Sequence, residues 1–224
     1  MSDQKTATKS KGYKGIAMEG FFAKWYAGNQ RKMMEQYKGW AKEVREEVAD
    51  GSAVLEVASG PGYLAIELAR MGNYRIIGLD ISKTFVEIAQ KNANEAGLNI
   101  NFRQGDASHM PFTDETFDFI VCTAAFKNFS EPVNALNEMH RVLRTNGRAL
   151  IIDLKRDLTK QSIENEVTKM RLGKLNSTFT KWTFNWLAKR ARTRDEFTEL
   201  VAKSSFRKCQ IQEDELGLEI RLRK

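Results

Sequence analysis

Between residues 51 and 153 short apolar runs alternate with helical segments, and no other feature of this 224-residue chain constrains its fold as tightly. Ala53–Val57, Tyr74–Leu79, Asn99–Arg103, Phe117–Cys122 and Arg148–Ile152 read as strands, because they are apolar, too short for buried helices and bounded by breakers. Helical spacing runs between them through Leu64–Arg70, Lys83–Ala96 and Pro132–Leu143. Ser82 is placed to cap the second of these helices, and Ser130 and Pro132 to open the third. Asn146-Gly147 supplies a stop and turn before the fifth strand. Strand and helix in strict succession imply parallel pairing through right-handed crossovers. Two last strands, Phe206–Gln212 and Leu218–Leu222, flank an acidic turn at Glu213–Glu215 and form the one hairpin, an antiparallel edge. The expected fold is therefore α/β: a doubly wound, mostly parallel, seven-stranded Rossmann-like sheet.

Helical segments lie on both sides of that unit. Met18–Val48 carries two apolar clusters, Phe21, Phe22, Trp25 and Tyr26, then Met33, Met34, Tyr37, Trp40, Ala41, Val44 and Val48. After Asp153 come Gln161–Lys174, Lys181–Lys189 and Arg194–Ser204. The expected organisation is an N-terminal helical lid segment over residues 1–49 and a main domain over 50–224, with a helical insertion at about 155–204. Met1–Lys14 is polar and Lys-rich, broken by Gly12 and Gly15, and lacks the apolar stretch of a secretory leader. No apolar run approaches the roughly 20 residues that span a bilayer, so no membrane span is expected. Cys122 lies in an apolar run and Cys209 far from it; with His109 and His140 alone beside them, the soft ligands are too few for zinc and no metal is expected. A reducing cytoplasm is the expected home. The net charge of +7 is uneven: residues 1–49 carry 10 Lys/Arg against 6 Asp/Glu, residues 50–154 carry 9 against 13, and residues 155–224 carry 17 against 10. The basic flanks are read first as solvated helix faces, with an anionic substrate, nucleic acid or membrane surface as the alternative.

In an open parallel sheet a ligand sits beyond the carboxyl ends of the strands, where strand order reverses. The first strand ends in Glu56-Val57-Ala58-Ser59-Gly60-Pro61-Gly62-Tyr63, a turn in which glycines 60 and 62 permit sharp bends and close approach of a ligand. With Ala65 it fits a loose dinucleotide fingerprint, but a carboxylate four residues before Gly60 would repel a pyrophosphate and suits a cationic ligand. Asp80 closes the second strand 20 residues after Gly60, the spacing at which a carboxylate accepts hydrogen bonds from ribose hydroxyls. Gly105-Asp106-Ala107 follows the third strand, where an acidic residue can accept from the exocyclic amine of adenine; a simple turn is the alternative. Thr123 to Phe126 follow the fourth strand and pass beside the reacting group.

Taken together, residues 51–153 resemble the class I S-adenosylmethionine-dependent methyltransferases, in the small-molecule group that includes quinone- and sterol-methylating enzymes. The resemblance rests on the Glu56–Gly62 loop, Asp80, Gly105-Asp106-Ala107 followed by Pro111-Phe112, Phe117-Asp118, and His140-Arg141-Val142-Leu143-Arg144 before Asn146-Gly147. It implies donor-binding roles for Glu56, Gly60, Gly62, Asp80, Asp106 and Ala107, with Ala58, Ile81 and Thr123 completing the candidate cofactor site. The implied cofactor is S-adenosylmethionine, leaving S-adenosylhomocysteine as product. Ala58 stands where the family usually has its first glycine. Lys127 and Asn128 stand where relatives often carry histidines, so no histidine base is inherited and the catalytic residue stays unassigned.

Methyl transfer is an in-line displacement on an already activated donor, so the protein's task is to hold the reactants close and collinear. The donor half is therefore legible and the acceptor half is not. The chain lacks the Asn/Asp-Pro-Pro-Tyr/Phe turn of enzymes that methylate amide or adenine amino groups, and Cys122 reads as structural. His109 reads as a loop residue and His140 as helix packing. Tyr13, Tyr26, Trp182 and Trp186 are lid candidates over the acceptor, and Asp153 and Lys155 could face it. The expected partner is a small, largely apolar or aromatic molecule. RNA or protein methylation, through the basic flanks, and a non-catalytic nucleotide-binding role are the alternatives, although no RNA-binding module is recognisable. The oligomeric state stays open.

Overall fold

The computed structural model describes residues 13, 14, 18–169 and 174–224, and within them the seven expected strands share one sheet. These are β1 (Ala53–Val57), β2 (Arg75–Asp80), β3 (Asn101–Gln104), β4 (Phe117–Thr123), β5 (Leu143–Leu154), β6 (Gln210–Glu213) and β7 (Gly217–Arg223). Their order is β3-β2-β1-β4-β5-β7-β6. The pairs from β3 to β5 are parallel, whereas β7 runs antiparallel to both β5 and β6. Order reverses between β1 and β4, which places the switch point where the strand-end residues converge. All five residues of β1 are buried, as a central parallel strand covered on both faces requires.

Helices α3 (Tyr63–Ala69), α4 (Lys83–Glu95), α5 (Pro132–Val142) and α8 (Arg194–Ala202) flank the sheet; α1 (Gly20–Gln30), α2 (Met34–Glu47), α6 (Lys160–Lys169) and α7 (Lys174–Ala188) complete the set. Ser82 caps α4 by accepting from the Phe85 amide at 3.1 Å. In α5 Pro132 opens the helix as expected, but the cap position is Glu131, not Ser130, and its side chain makes no cap bond. Asn146-Gly147 does not stop the chain before the fifth strand. It is absorbed as a bulge, with Asn146 at φ 66° and the register jumping from Phe117↔Leu143 to Phe119↔Arg148, so β5 starts five residues earlier than the apolar run.

The expected cluster of α1 aromatics turns outward: Phe21 is 77% exposed and Trp25 55%. Helix α1 instead buries Ala23 and Ala27 against Phe85 of α4, with Tyr26 alongside. Two small residues one turn apart let the helix axes approach, and the bulky residues are left on the opposite face. Helix α2 behaves as its spacing predicts, burying Ala41 and Val44 with Tyr37 and Trp40 packed beside them. Part of the expected Gln161–Lys174 helix, and most of the Met1–Lys14 segment, lie outside the described residues. Among the described residues no helix is long and apolar enough to cross a membrane.

Candidate active site

Glu56 lies inside β1, opposite Gly78 on β2, and is 3% exposed. Its Oε2 accepts a hydrogen bond from the Ala65 amide, in the first turn of α3, at 3.0 Å. Burial, with a smaller contribution from the charge of Asp80, pushes its carboxyl up to about 8. An ionised carboxyl held this deep without a cation is costly, so near neutral pH the empty site favours the protonated form. The backbone then turns through Ala58 (φ 58°) and Gly60 (φ 51°). A side chain at Gly60 would meet nothing within 4 Å, whereas at Gly62 (φ 78°) it would lie 2.7 Å from the Phe102 ring and 2.9 Å from Ala89. The two glycines thus do different jobs: Gly60 leaves the bend open, and Gly62 lets α3 dock on α4 and β3. The Ser59 hydroxyl, inside the same bend, is buried with no hydrogen-bond partner.

Asp80 closes β2 and is tied directly to that bend. Its Oδ2 accepts from the Gly60 amide at 2.7 Å, and its Oδ1 from the Ser82 amide at 2.9 Å. Burial pushes its carboxyl up to about 6. The next residue, Ile81, is half-buried, and its carbonyl accepts from the Gln104 amide group at 3.2 Å. Asp106 sits just past β3, where Oδ1 accepts from both the amide and the hydroxyl of Ser108 at 2.8 Å. Ala107 packs against the main core. The loop is held from behind: Glu138 accepts from the Met110 amide, and Arg141 donates to the Phe112 and Met110 carbonyls while pairing with Glu138. The His140–Arg144 motif is therefore partly a clamp on the Asp106 loop. Thr123 ends β4 and is followed by Ala124 at φ 55°. Parallel strands bring Glu56, Ala58, Gly60, Asp80, Ile81, Asp106, Ala107 and Thr123 to one edge of the sheet, and two alanines hold left-handed backbone there, where strain collects at functional sites.

The opposite half of that edge holds a feature that local sequence patterns did not reveal. Lys127 and Asp153 are each 6% exposed and form an ion pair of 2.8 Å. Asp153 also accepts from the Lys127 and Leu154 amides, and the Lys127 ammonium donates to the Ala124 carbonyl. Strand register creates the pair by setting Thr123 beside Ile152, although the two residues stand 26 apart in sequence. Lys155, by contrast, turns to the β6–β7 hairpin, bonding Glu213 and the Asp214 carbonyl. Tyr13 bridges to Phe129 and lies in the field of both Asp80 and Arg190. Burial pushes the Tyr26 phenol up to about 12 and raises that of Tyr37. Trp182 is 60% exposed, and Trp186 carries the Arg190 guanidinium over its ring at 4.1 Å. Cys122 is fully buried, with its thiol raised well above the ordinary value by burial. His109 is an exposed loop residue, and His140 packs edge-on against Phe206. Among the described residues no cluster of His, Cys, Asp and Glu could hold a metal ion.

The profile of a methyltransferase-domain family matches residues 49–205, the stretch that builds this edge. The chain belongs to that family. Within it, the chain is 35% identical over 119 residues to a demethylmenaquinone methyltransferase of Deinococcus radiodurans, covering 52% of this chain and 49% of that one. It is 28% identical over 179 residues to a demethylmenaquinone methyltransferase of Chlorobaculum parvum, covering 76% and 73%. The chain spans about half the length of the first of these relatives. The crystal structure of a SAM-dependent methyltransferase from Aquifex aeolicus shares the fold with a TM-score of 0.63 at 19% identity, over 82% of this chain and 88% of that one. A Methanococcus maripaludis structure reaches a TM-score of 0.71 at 24% identity, over 91% and 92%. This methyltransferase-family chain thus has the seven-stranded sheet of its fold, with the strand-end loops gathered at one end of it.

Proposed function

We propose that this chain transfers a methyl group from S-adenosylmethionine to a small acceptor. The observation that carries the reading is Glu56, a carboxylate buried beside an open glycine bend, pushed up to about 8 and lacking a cationic partner among the described residues. The residues present fit the donor. Glu56 would hold its ammonium end, Asp80 its ribose hydroxyls and the Asp106-Ala107 turn its adenine, while Gly60 keeps the bend clear. A carboxylate has about four acceptor positions, so Asp80 can take ribose hydroxyls and keep the Gly60 and Ser82 amides. When bound, the donor supplies a methyl group already activated as a sulfonium.

What the chain itself contributes is position. The Lys127–Asp153 pair fixes the turn after β4 by bonding the Ala124 carbonyl and the Lys127 amide. Helix α1 and the residues just before it would serve as the lid over the same end of the sheet: Ser82 donates to the Met18 carbonyl, Glu19 accepts from the Lys83 and Thr84 amides, and Tyr63 donates to the Ala27 carbonyl. The names of the relatives favour a small, apolar or aromatic acceptor. Calorimetric titration with S-adenosylhomocysteine tests the reading. The wild type binds it, and Asp80→Ala weakens binding by about 1–3 kcal/mol because ribose hydroxyls lose their acceptor. Absence of binding heat, or unchanged affinity in a folded Asp80→Ala protein, counts against it.

A further inference from the structure

Beyond the ends of β4 and β5 lies a pocket of about 240 Å³ lined by cations from three parts of the chain. Lys14, Arg156, Arg190, Arg192 and Lys203 face Glu196 and Glu199 across it. Both carboxylates are already engaged, Glu196 by Arg156 and by the Thr193 amide, and Glu199 by Lys203 at 3.9 Å. That leaves Lys14, Arg190 and Arg192 without an ion-pair partner among the described residues. Arg190 lies on the Trp186 ring. Arg192 lies 5.5 Å from the Phe126 ring centroid, feeling Asp153 and Glu196 only at longer range. Burial lowers the affinity of Lys14 and Arg192 for their protons, and the charge of Arg192 adds to the effect on Lys14. Cations crowded in a recess and repelling one another are held ready for an anion.

The pocket adjoins the proposed acceptor side. The Lys14 amide donates to the Asn128 carbonyl at 2.7 Å, and Phe126 and Asn128 stand in the turn after β4. Arg156 follows β5, and its amide donates to the Arg192 carbonyl at 3.1 Å. Tyr13, next to Lys14, lies in the field of both Asp80 of the donor half and Arg190 of the pocket. We infer that Lys14, Arg190 and Arg192 bind the anionic group, a carboxylate or a phosphate, of the molecule that is methylated. This rests on the donor reading of β1 and β2, and it adds a charge requirement to an otherwise apolar acceptor. Guanidinium forks match both anions bidentately, which a lone lysine does not.

The test is calorimetric titration of the protein, preloaded with S-adenosylhomocysteine, with inorganic phosphate in one arm and benzoate in the other, at constant ionic strength. Saturable binding is expected in at least one arm, with affinity falling tenfold or more in Arg190→Gln and in Lys14→Gln. Arg190 stacks on the exposed Trp186 ring and makes no ion pair among the described residues, so Arg190→Gln carries the test should Arg192→Gln fail to fold. Heat that fails to saturate, or identical affinities in wild type and variants, overturns the proposal. In a parallel assay, labelled methyl groups transferred to metabolites of a cell extract are passed over an anion-exchange resin. Retained product supports the proposal and flow-through product overturns it. The binding of S-adenosylhomocysteine is read separately: if it binds and the anions do not, the pocket proposal fails and the donor reading stands; if it does not bind, the donor reading fails.

Discussion

Replacing Glu56 by glutamine should strengthen the empty protein and weaken it as a donor-binding site. The carboxyl rises from 4.5 in the unfolded chain to about 8 in the folded one. Between these values the folded state holds a proton that the unfolded state has released, so stability is lost as pH rises through that window. At about 1.4 kcal/mol for each pH unit, the cost is absent at pH 4, ~3 kcal/mol at pH 7 and still larger above pH 8. Glutamine cannot ionise, and its amide oxygen can still accept from the Ala65 amide. Glu56→Gln should therefore raise unfolding free energy by ~2–3 kcal/mol at pH 7 and leave it unchanged at pH 4, read by urea denaturation of both proteins at each pH. Donor binding moves the opposite way. A cation selects ionised Glu56, so binding near pH 7 releases a proton, its heat depends on the buffer's ionisation enthalpy, and the affinity of the wild type rises from pH 6.5 to 8. The variant loses affinity, the buffer dependence and the pH trend together. A variant equally stabilised at pH 4 and 7, or one that binds S-adenosylhomocysteine as tightly as wild type, would refute the reasoning.

Three further outcomes follow from the geometry. Ala58 holds φ 58°, which costs an L-residue about 1–2 kcal/mol, so Ala58→Gly should gain up to ~1 kcal/mol after the added freedom of the unfolded chain is subtracted; a loss of stability in urea would contradict this. Gly62→Ala meets both a positive φ and the Phe102 ring at 2.7 Å, and should lose ~2–4 kcal/mol, visible as a fall in melting temperature. Lys127→Met leaves Asp153 buried without its cation and should lose ~3–5 kcal/mol, while Lys127→Met with Asp153→Leu recovers most of it; a double-mutant cycle showing simple additivity would rule out the pairing.

The sheet was legible because buried parallel strands must be short, apolar and separated by helices, and β1 matches its apolar run residue for residue, Ala53–Val57. Asp80 was legible because one strand and one helix fix how far its carboxylate lies from the glycine bend, and that spacing is realised as a bond to the Gly60 amide. Other features depend on packing between distant segments. The bulge at Asn146 looks locally like any turn, and only pairing with β4 makes it part of a strand. Phe21, Phe22 and Trp25 look like core until Ala23 and Ala27 take the buried face of α1. Lys127 and Asp153 were visible singly, but nothing short of strand register joins them. The cation pocket gathers residues from positions 14 to 203, so local charge counts could report only a basic flank.

The most direct measurement is a crystal structure of the chain soaked with S-adenosylhomocysteine. The account predicts density beyond the carboxyl ends of β1 and β2, with the amino group within hydrogen-bond reach of Glu56 and the ribose hydroxyls on Asp80. Density at another edge of the sheet, or an ammonium group turned away from Glu56, would contradict it.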